Sequence, residues 1–165
     1  MAAATPLTSS EMLKEGDRAP DFRLPDHEGR VVGLADLLVG HKALVLYFYP
    51  RDDTPGCTTE ACGFRDSFES ILRLGANVVG VSVDSPESHR RFIGKYKLPF
   101  RLLSDMDGKV ARLYDSFRED RGTCARKTFV IDGSGIVRAV FPKVSPEEHA
   151  SEILSVLRRL QPPKS

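Results

Sequence analysis

The chain has 165 residues, 28% of them charged and 41% hydrophobic, which suits one ordinary globular domain with a real apolar core. Its 24 basic and 23 acidic residues leave a net charge of +1, so nothing points to nucleic acid or an anionic membrane as the main partner. No apolar run approaches the ~20 residues of a membrane-spanning helix, and three cysteines are too few, and odd in number, for a secreted disulfide framework. Such cysteine use fits a reducing compartment, the cytoplasm, where a disulfide is transient and catalytic.

The organisation expected is a single domain over residues 1–165, with 1–16 as a flexible lead-in and 161–165 (QPPKS) as a frayed tail. The N-terminus lacks the basic start and apolar core of a secretory signal, and its lack of Arg argues against a transit-peptide remnant. Phe22 to Leu24 and Arg30 to Val32 flank Asp26-His27-Glu28-Gly29 as a β-hairpin. Ala43 to Tyr49 is apolar throughout and reads as a central strand covered on both faces. Thr54 to Leu74 reads as a helix whose apolar face carries Ala61, Phe64, Phe68, Ile71 and Leu72. Asn77 to Val83 is a second buried strand, and Ser85 with Pro86 opens a helix to about Tyr96.

Asp107 to Tyr114 suggests a third helix. Lys127 to Asp132 and Ile136 to Phe141, around Gly133-Ser134-Gly135, make an antiparallel hairpin. Ser145-Pro146-Glu147-Glu148 reads as a capping box opening a last helix through Ile153, Leu154, Leu157 and Leu160. The alternation implies an α/β domain, a mixed central sheet with helices on both faces and an N-terminal β-hairpin.

The most informative stretch is Tyr47 to Asp66, where a buried strand runs into a helix. Open α/β sheets place their sites at such junctions. Thr54 is placed as N-cap and Pro55 at the first helical position, so Cys57 falls in the first turn. The thiolate is the reactive form of cysteine, and a helix N-terminus favours it, as does a nearby arginine. A free cysteine is more often a small buried hydrophobe, and Cys57 does share the face of Ala61 and Phe64. An apolar site does not account for Pro50, Thr54, Pro55 and Gly56 gathered before it, and Gly56 permits close approach of a ligand to the backbone.

Pro50, Thr54 and Cys57 fit the P-x-x-x-T/S-x-x-C motif of peroxiredoxins. The longer string PRDDTPGCTTEACGFRD closely resembles the peroxiredoxin Q, or bacterioferritin comigratory protein, subfamily. GDRAPDFRLPD, VVGVSVDS, LPFRLLSD and ARKTFVIDGSG extend that resemblance over nearly the whole chain. It implies a thioredoxin-like fold and a thiol peroxidase acting on hydrogen peroxide and organic hydroperoxides, with Cys57 as the attacking (peroxidatic) cysteine. It also implies that Thr54 and an arginine three residues before the Phe of TFVID position the peroxide; that arginine is Arg126. Lys127 beside it is the obvious confusion. Pro50 would shield and shape the pocket, and the N–H groups of Gly56 and Cys57 would bind peroxide oxygen.

Cys62 lies five residues after Cys57, which on an ideal helix means ~140° around the axis and ~7.5 Å along it. That exceeds the reach of a disulfide, so Cys62 is structural or the helix unwinds locally. Geometry alone favours the first; the resemblance favours the second, because many members of the subfamily carry a resolving cysteine at this spacing. It implies sulfenic acid at Cys57, condensation with Cys62, and reduction by thioredoxin or a similar dithiol. It also fits a monomer. Cys124 matches no required position and reads as incidental or as a back-up resolving thiol.

No metal site is indicated, because C-x4-C stands without a second ligand pair and His27, His41, His89 and His149 are scattered in loop or helix contexts. No nucleotide or flavin motif occurs, and the chemistry calls for no cofactor. Two other readings compete: a general thiol–disulfide oxidoreductase, which would want C-x-x-C at the helix start, and a redox-regulated holdase with Cys57 as a sensor.

Overall fold

The computed structural model of the chain describes residues 12–160. Its elements run β1 (Arg23–Pro25), β2 (Val31–Gly33), α1 (Leu34–Leu38), β3 (Ala43–Phe48), α2 (Pro55–Arg73), β4 (Ala76–Ser82) and α3 (Pro86–Tyr96). They continue with β5 (Arg101–Ser104), α4 (Lys109–Leu113), β6 (Phe117–Arg118), β7 (Thr123–Cys124), β8 (Lys127–Asp132), β9 (Val137–Phe141) and α5 (His149–Arg159).

Five strands form the central sheet in the order β5-β4-β3-β8-β9. β3 runs parallel to β4 and antiparallel to β8, so the sheet is mixed. All six residues of β3 are buried, as its unbroken apolar sequence requires of a middle strand. Each large side chain sealed there contributes on the order of 2 kcal/mol.

Strand alternation divides the apolar residues into two cores. Leu44, Leu46, Phe48, Phe129 and Ile131 face one side, where α1, α4 and the N-terminal segment cover them. Val45, Tyr47, Val130 and Ala139 face the other, under α2, α3 and α5. The expected mixed sheet with helices on both faces is thus found. The N-terminal hairpin is found too, shifted by one residue, with Leu24 opposite Val32. Asp26 closes its turn by accepting the N–H groups of Glu28 at 2.9 Å and Arg30 at 3.0 Å.

Four local expectations need correction. The flexible lead-in expected over 1–16 does not include its last residues: Leu13 is buried and its N–H donates to Asp115 Oδ2 at 2.7 Å, while Gly16 N–H bonds Val137 O at 2.8 Å. Residues 1–11 of that lead-in and the tail at 161–165 lie outside the described residues. The Ser145 capping box does not open the last helix. Residues 146–148 form a turn, Ser145 Oγ donates to Glu147 at 3.3 Å, and α5 begins only at His149. The third helix is shorter than expected, Lys109–Leu113. Finally, α1 and the small β6–β7 pair were not anticipated; each is too short to leave a periodic signal.

Candidate active site

Residues 49–54 carry the chain from the end of β3 to the start of α2, and buried polar bonds fix their path. Tyr49 hydroxyl donates to Asp52 Oδ1 at 2.6 Å, and Ser88 Oγ donates to Asp52 Oδ2 at 2.8 Å. His89 Nδ1 lies 2.8 Å from the same oxygen, and its Nε2 lies 2.9 Å from Leu103 O. Asp52 N–H in turn donates to Asp84 Oδ2 at 2.8 Å. Asp53 adopts a left-handed φ of 57° and accepts bonds from Lys95 Nζ at 2.8 Å and Tyr96 hydroxyl at 2.9 Å. Helix α3 therefore grips this loop from behind.

Thr54 occupies the N-cap position with extended backbone, and Pro55 follows at the first helical position. The Thr54 side chain does not cap the helix, contrary to expectation. Its hydroxyl donates to Arg51 O at 3.0 Å, which turns the oxygen lone pairs away from that carbonyl. The helix end is left without a side-chain cap.

Cys57 is 1% exposed and packs with Tyr47, Tyr49, Ala61 and Phe64. It is not sealed in hydrocarbon, because Arg126 Nη2 donates to its sulfur at 3.3 Å. Arg126 Nη1 simultaneously donates to Glu60 Oε1 at 2.8 Å. The planar guanidinium fork spans two acceptors on one face of α2, which a lysine ammonium cannot do in this way. Burial opposes the charge of Arg126, but Cys57 and Glu60 outweigh it and hold the guanidinium above its ordinary pKa.

The choice between Arg126 and Lys127 follows from alternation. Lys127, Phe129 and Ile131 point into the core opposite α2, since they pair with Phe48, Leu46 and Leu44. Lys127 Nζ there reaches Asp115 O at 3.3 Å. Arg126 falls on the α2 side with Val130.

A cavity of about 870 Å³ opens over this arrangement, with Pro50, Thr54, Arg118, Ala125, Arg126 and Lys143 among its lining residues. Gly56 has a specific packing reason: a Cβ there would stand 3.0 Å from Arg126 Nη2. The guanidinium uses part of the space that Gly56 leaves open.

Cys57 and Cys62 both lie in the continuous helix α2, Cys62 half-buried, and both are free thiols. Their helical separation stands as the sequence implied. Cys124 pairs with Phe117 and is fully buried in the core across the sheet from Cys57. That placement removes it from the active-site rim where a back-up resolving thiol would need to sit.

Sequence reasoning missed Glu60, Asp52, His89 and His149. Glu60 is buried beside Cys57 with Oε2 lacking any hydrogen-bond partner, and Tyr47 Oη is buried and unpartnered as well. Burial pushes the Glu60 carboxyl up to about 7, against the attraction of Arg126. A signal for it existed: residues 57, 60, 61 and 64 share one helical face, so Glu60 is a charge within an apolar stripe. His89 and His149 lie in helices, one of the contexts expected of them, and both are fully buried. His149 Nε2 lies 2.8 Å from Thr128 Oγ1. Among the described residues, no group of three or more His, Cys, Asp or Glu could hold a metal ion, and no helix is long and apolar enough to cross a membrane.

Comparison with known proteins gives the arrangement its context. The AhpC/TSA family matches residues 15–140. Chloroplastic peroxiredoxin Q of Sedum lineare is 46% identical over 151 residues, covering 90% of this chain and 80% of that protein. The crystal structure of peroxidoxin BcpB from Mycobacterium tuberculosis superposes with a TM-score of 0.84 at 36% identity, covering 91% of this chain and 99% of that one. A bacterioferritin comigratory protein of Xanthomonas campestris, solved in work on its alkyl peroxide reduction activity, matches with a TM-score of 0.77 at 34% identity, covering 84% and 90%. The fold is thioredoxin-like, and with a match spanning residues 15–140 the chain belongs to the AhpC/TSA family of peroxiredoxins, in its peroxiredoxin Q and bacterioferritin comigratory protein branch, and is a thiol-dependent peroxidase.

Proposed function

We propose that Cys57 is the peroxidatic cysteine and that it reduces both hydrogen peroxide and organic hydroperoxides. The observation that carries this reading is the 3.3 Å bond from Arg126 to the Cys57 sulfur at the start of α2. The alkyl peroxide reduction of the Xanthomonas relative supports organic substrates.

In this reading the thiolate attacks one peroxide oxygen along the O–O axis. The S–O bond forms, the O–O bond breaks, and the leaving oxygen departs as alkoxide or hydroxide and takes up a proton. Arg126 stabilises the charge moving from sulfur to oxygen, with donors already in place. Thr54 offers its hydroxyl oxygen to the peroxide O–H, the backbone N–H groups of Gly56 and Cys57 donate to peroxide oxygen, and Pro50 shields the pocket.

Cys62 then condenses with the sulfenic acid of Cys57, releasing water and forming a disulfide. This requires the first turns of α2 to open, because the intact helix holds the two cysteines apart. Thioredoxin or a similar dithiol restores both thiols by exchange. The enzyme works as a single-domain monomer in the cytoplasm, consistent with its cysteine use, and takes neither nucleic acid nor membrane as a partner, consistent with its near-zero net charge.

The deciding measurement is peroxide-dependent NADPH oxidation with thioredoxin and thioredoxin reductase. Wild type turns over, C57S is inactive, and C62S stalls after one peroxide with Cys57 as sulfenic acid, which a second peroxide overoxidises. Turnover of C62S at the wild-type rate, without a Cys57–Cys62 cross-link in peptide maps, would overturn the assigned cycle.

A further inference from the structure

Cys57 and Glu60 are one helical turn apart on the buried face of α2, and both bond the same guanidinium. Two potential anions, both buried, thus converge on one cation that reaches the cavity. Glu60 is 1% exposed, and its Oε2 has no hydrogen-bond donor. A buried carboxylate oxygen without a donor is the costliest form such a group can take. The other titratable neighbours supply no second positive charge. Tyr47, from β3, is held neutral by burial, with Glu60 and Cys57 adding to the effect. His149, from α5, is pushed toward its neutral form by burial, against the pull of Glu152 at 3.4 Å and with a smaller contribution from the charge of Arg126.

We propose that Cys57 and Glu60 share a single negative charge around Arg126: in the reduced protein the sulfur carries it and Glu60 is protonated, and once peroxide has neutralised the sulfur Glu60 ionises in its place. The inference rests on the role proposed for Cys57. Glu60 is a positioning residue, acting through Arg126 without touching peroxide. Its tendency to hold a proton near neutrality agrees with this, and a thiolate beside it reinforces that tendency.

The turnover balances. The sulfur lone pair forms the S–O bond, and the O–O pair leaves on the alkoxide. The alkoxide gains one proton to become alcohol, while Glu60 loses one. Thiolate, protonated Glu60 and hydroperoxide thereby give sulfenic acid, carboxylate and alcohol, with no net proton drawn from solvent. Condensation with Cys62 releases water and leaves this balance unchanged. Reduction by a dithiol returns Cys57 to its thiolate and passes the remaining proton to Glu60. Arg126 thus keeps one anionic partner from the thiolate to the sulfenic acid, up to the point at which α2 opens for the disulfide.

Infrared difference spectroscopy of the full chain, before and after one equivalent of hydrogen peroxide just below neutral pH, tests this directly. The expected result is loss of one protonated-carboxyl stretch per Cys57 oxidised. That band moves when glutamate is labelled with carbon-13, and it is absent in E60Q. As a second measurement, with no dithiol present, proton uptake in weak buffer is near zero per Cys57 oxidised in wild type and one in E60Q. Oxidation of Cys57 with no loss of a glutamic acid band, or equal proton uptake by the two proteins, overturns the charge exchange while leaving the peroxidase role intact. Failure of Cys57 to react at all is a different result, seen as undiminished thiol titre, and it removes the role on which the exchange depends.

Discussion

Cys57 and Cys124 are both closed to solvent, at 1% and 0% exposure, but they face opposite sides of one sheet. Cys124 has apolar neighbours and, among the described residues, no cation bonded to its sulfur; burial, reinforced by Asp105 and Asp84, pushes its thiol up to about 12. Cys57 is as deeply buried, yet its sulfur accepts a bond from Arg126. Burial therefore does not separate Cys124 from the cysteine proposed to react. What matters is whether the surroundings supply a charge that prefers the anion.

The strongest way to break this contrast is to remove each sulfur. C57S should lower peroxide turnover by more than about a thousand-fold, as loss of a nucleophile does, while C124S should leave it unchanged in the same assay. Next comes the cation. R126M should cost about 100- to 1,000-fold in kcat/KM, the scale seen for removing one donor to developing charge. R126K should recover little, because an ammonium cannot span Cys57 and Glu60 as the fork does.

The third test uses pH. Glu60 rises from the ordinary 4.5 to about 7 on folding, so its protonated form is the one compatible with burial. Its contribution is complete below 4.5 and is lost as pH climbs through about 7. At about 1.4 kcal/mol per unit, wild type should lose on the order of 3 kcal/mol across that range relative to E60Q, as read from urea denaturation at a series of pH values. The smallest effect belongs to the inert cysteine: C124S buries a hydroxyl among apolar groups and should cost about 1–2 kcal/mol by the same method.

The sequence disclosed more of the framework than of the site's interior. Unbroken apolar runs located β3 and β4, and Pro-led starts located α2 and α3, because each of these signals is local. Position in the strand–helix turn singled out Cys57. Arg126 needed the family likeness, since only the pairing of β8 with β3 reveals which of two adjacent basic residues faces α2. Asp52 and His89 were illegible for the same reason: their bond joins residues 37 apart in the chain. The Ser145 motif looked like a cap yet forms a turn, with its hydroxyl committed to Glu147. Glu60 was readable as a charge in an apolar stripe, but nothing local could say that a guanidinium would meet it.

The two sides of the strand–helix junction differ in how firmly they are held. Upstream, Asp52 and Asp53 are fastened to α3 by short bonds. Downstream, the helix starts without a side-chain cap, and the tucked-in sulfur of Cys57 is itself part of what seats the first turn. An added oxygen makes that sulfur larger and more polar than the space it occupied. In the cycle proposed for Cys57, the latch would be undone by the product of the chemistry it secures, so the turn would loosen only after peroxide has been spent, with the upstream half as the hinge against which it could close again.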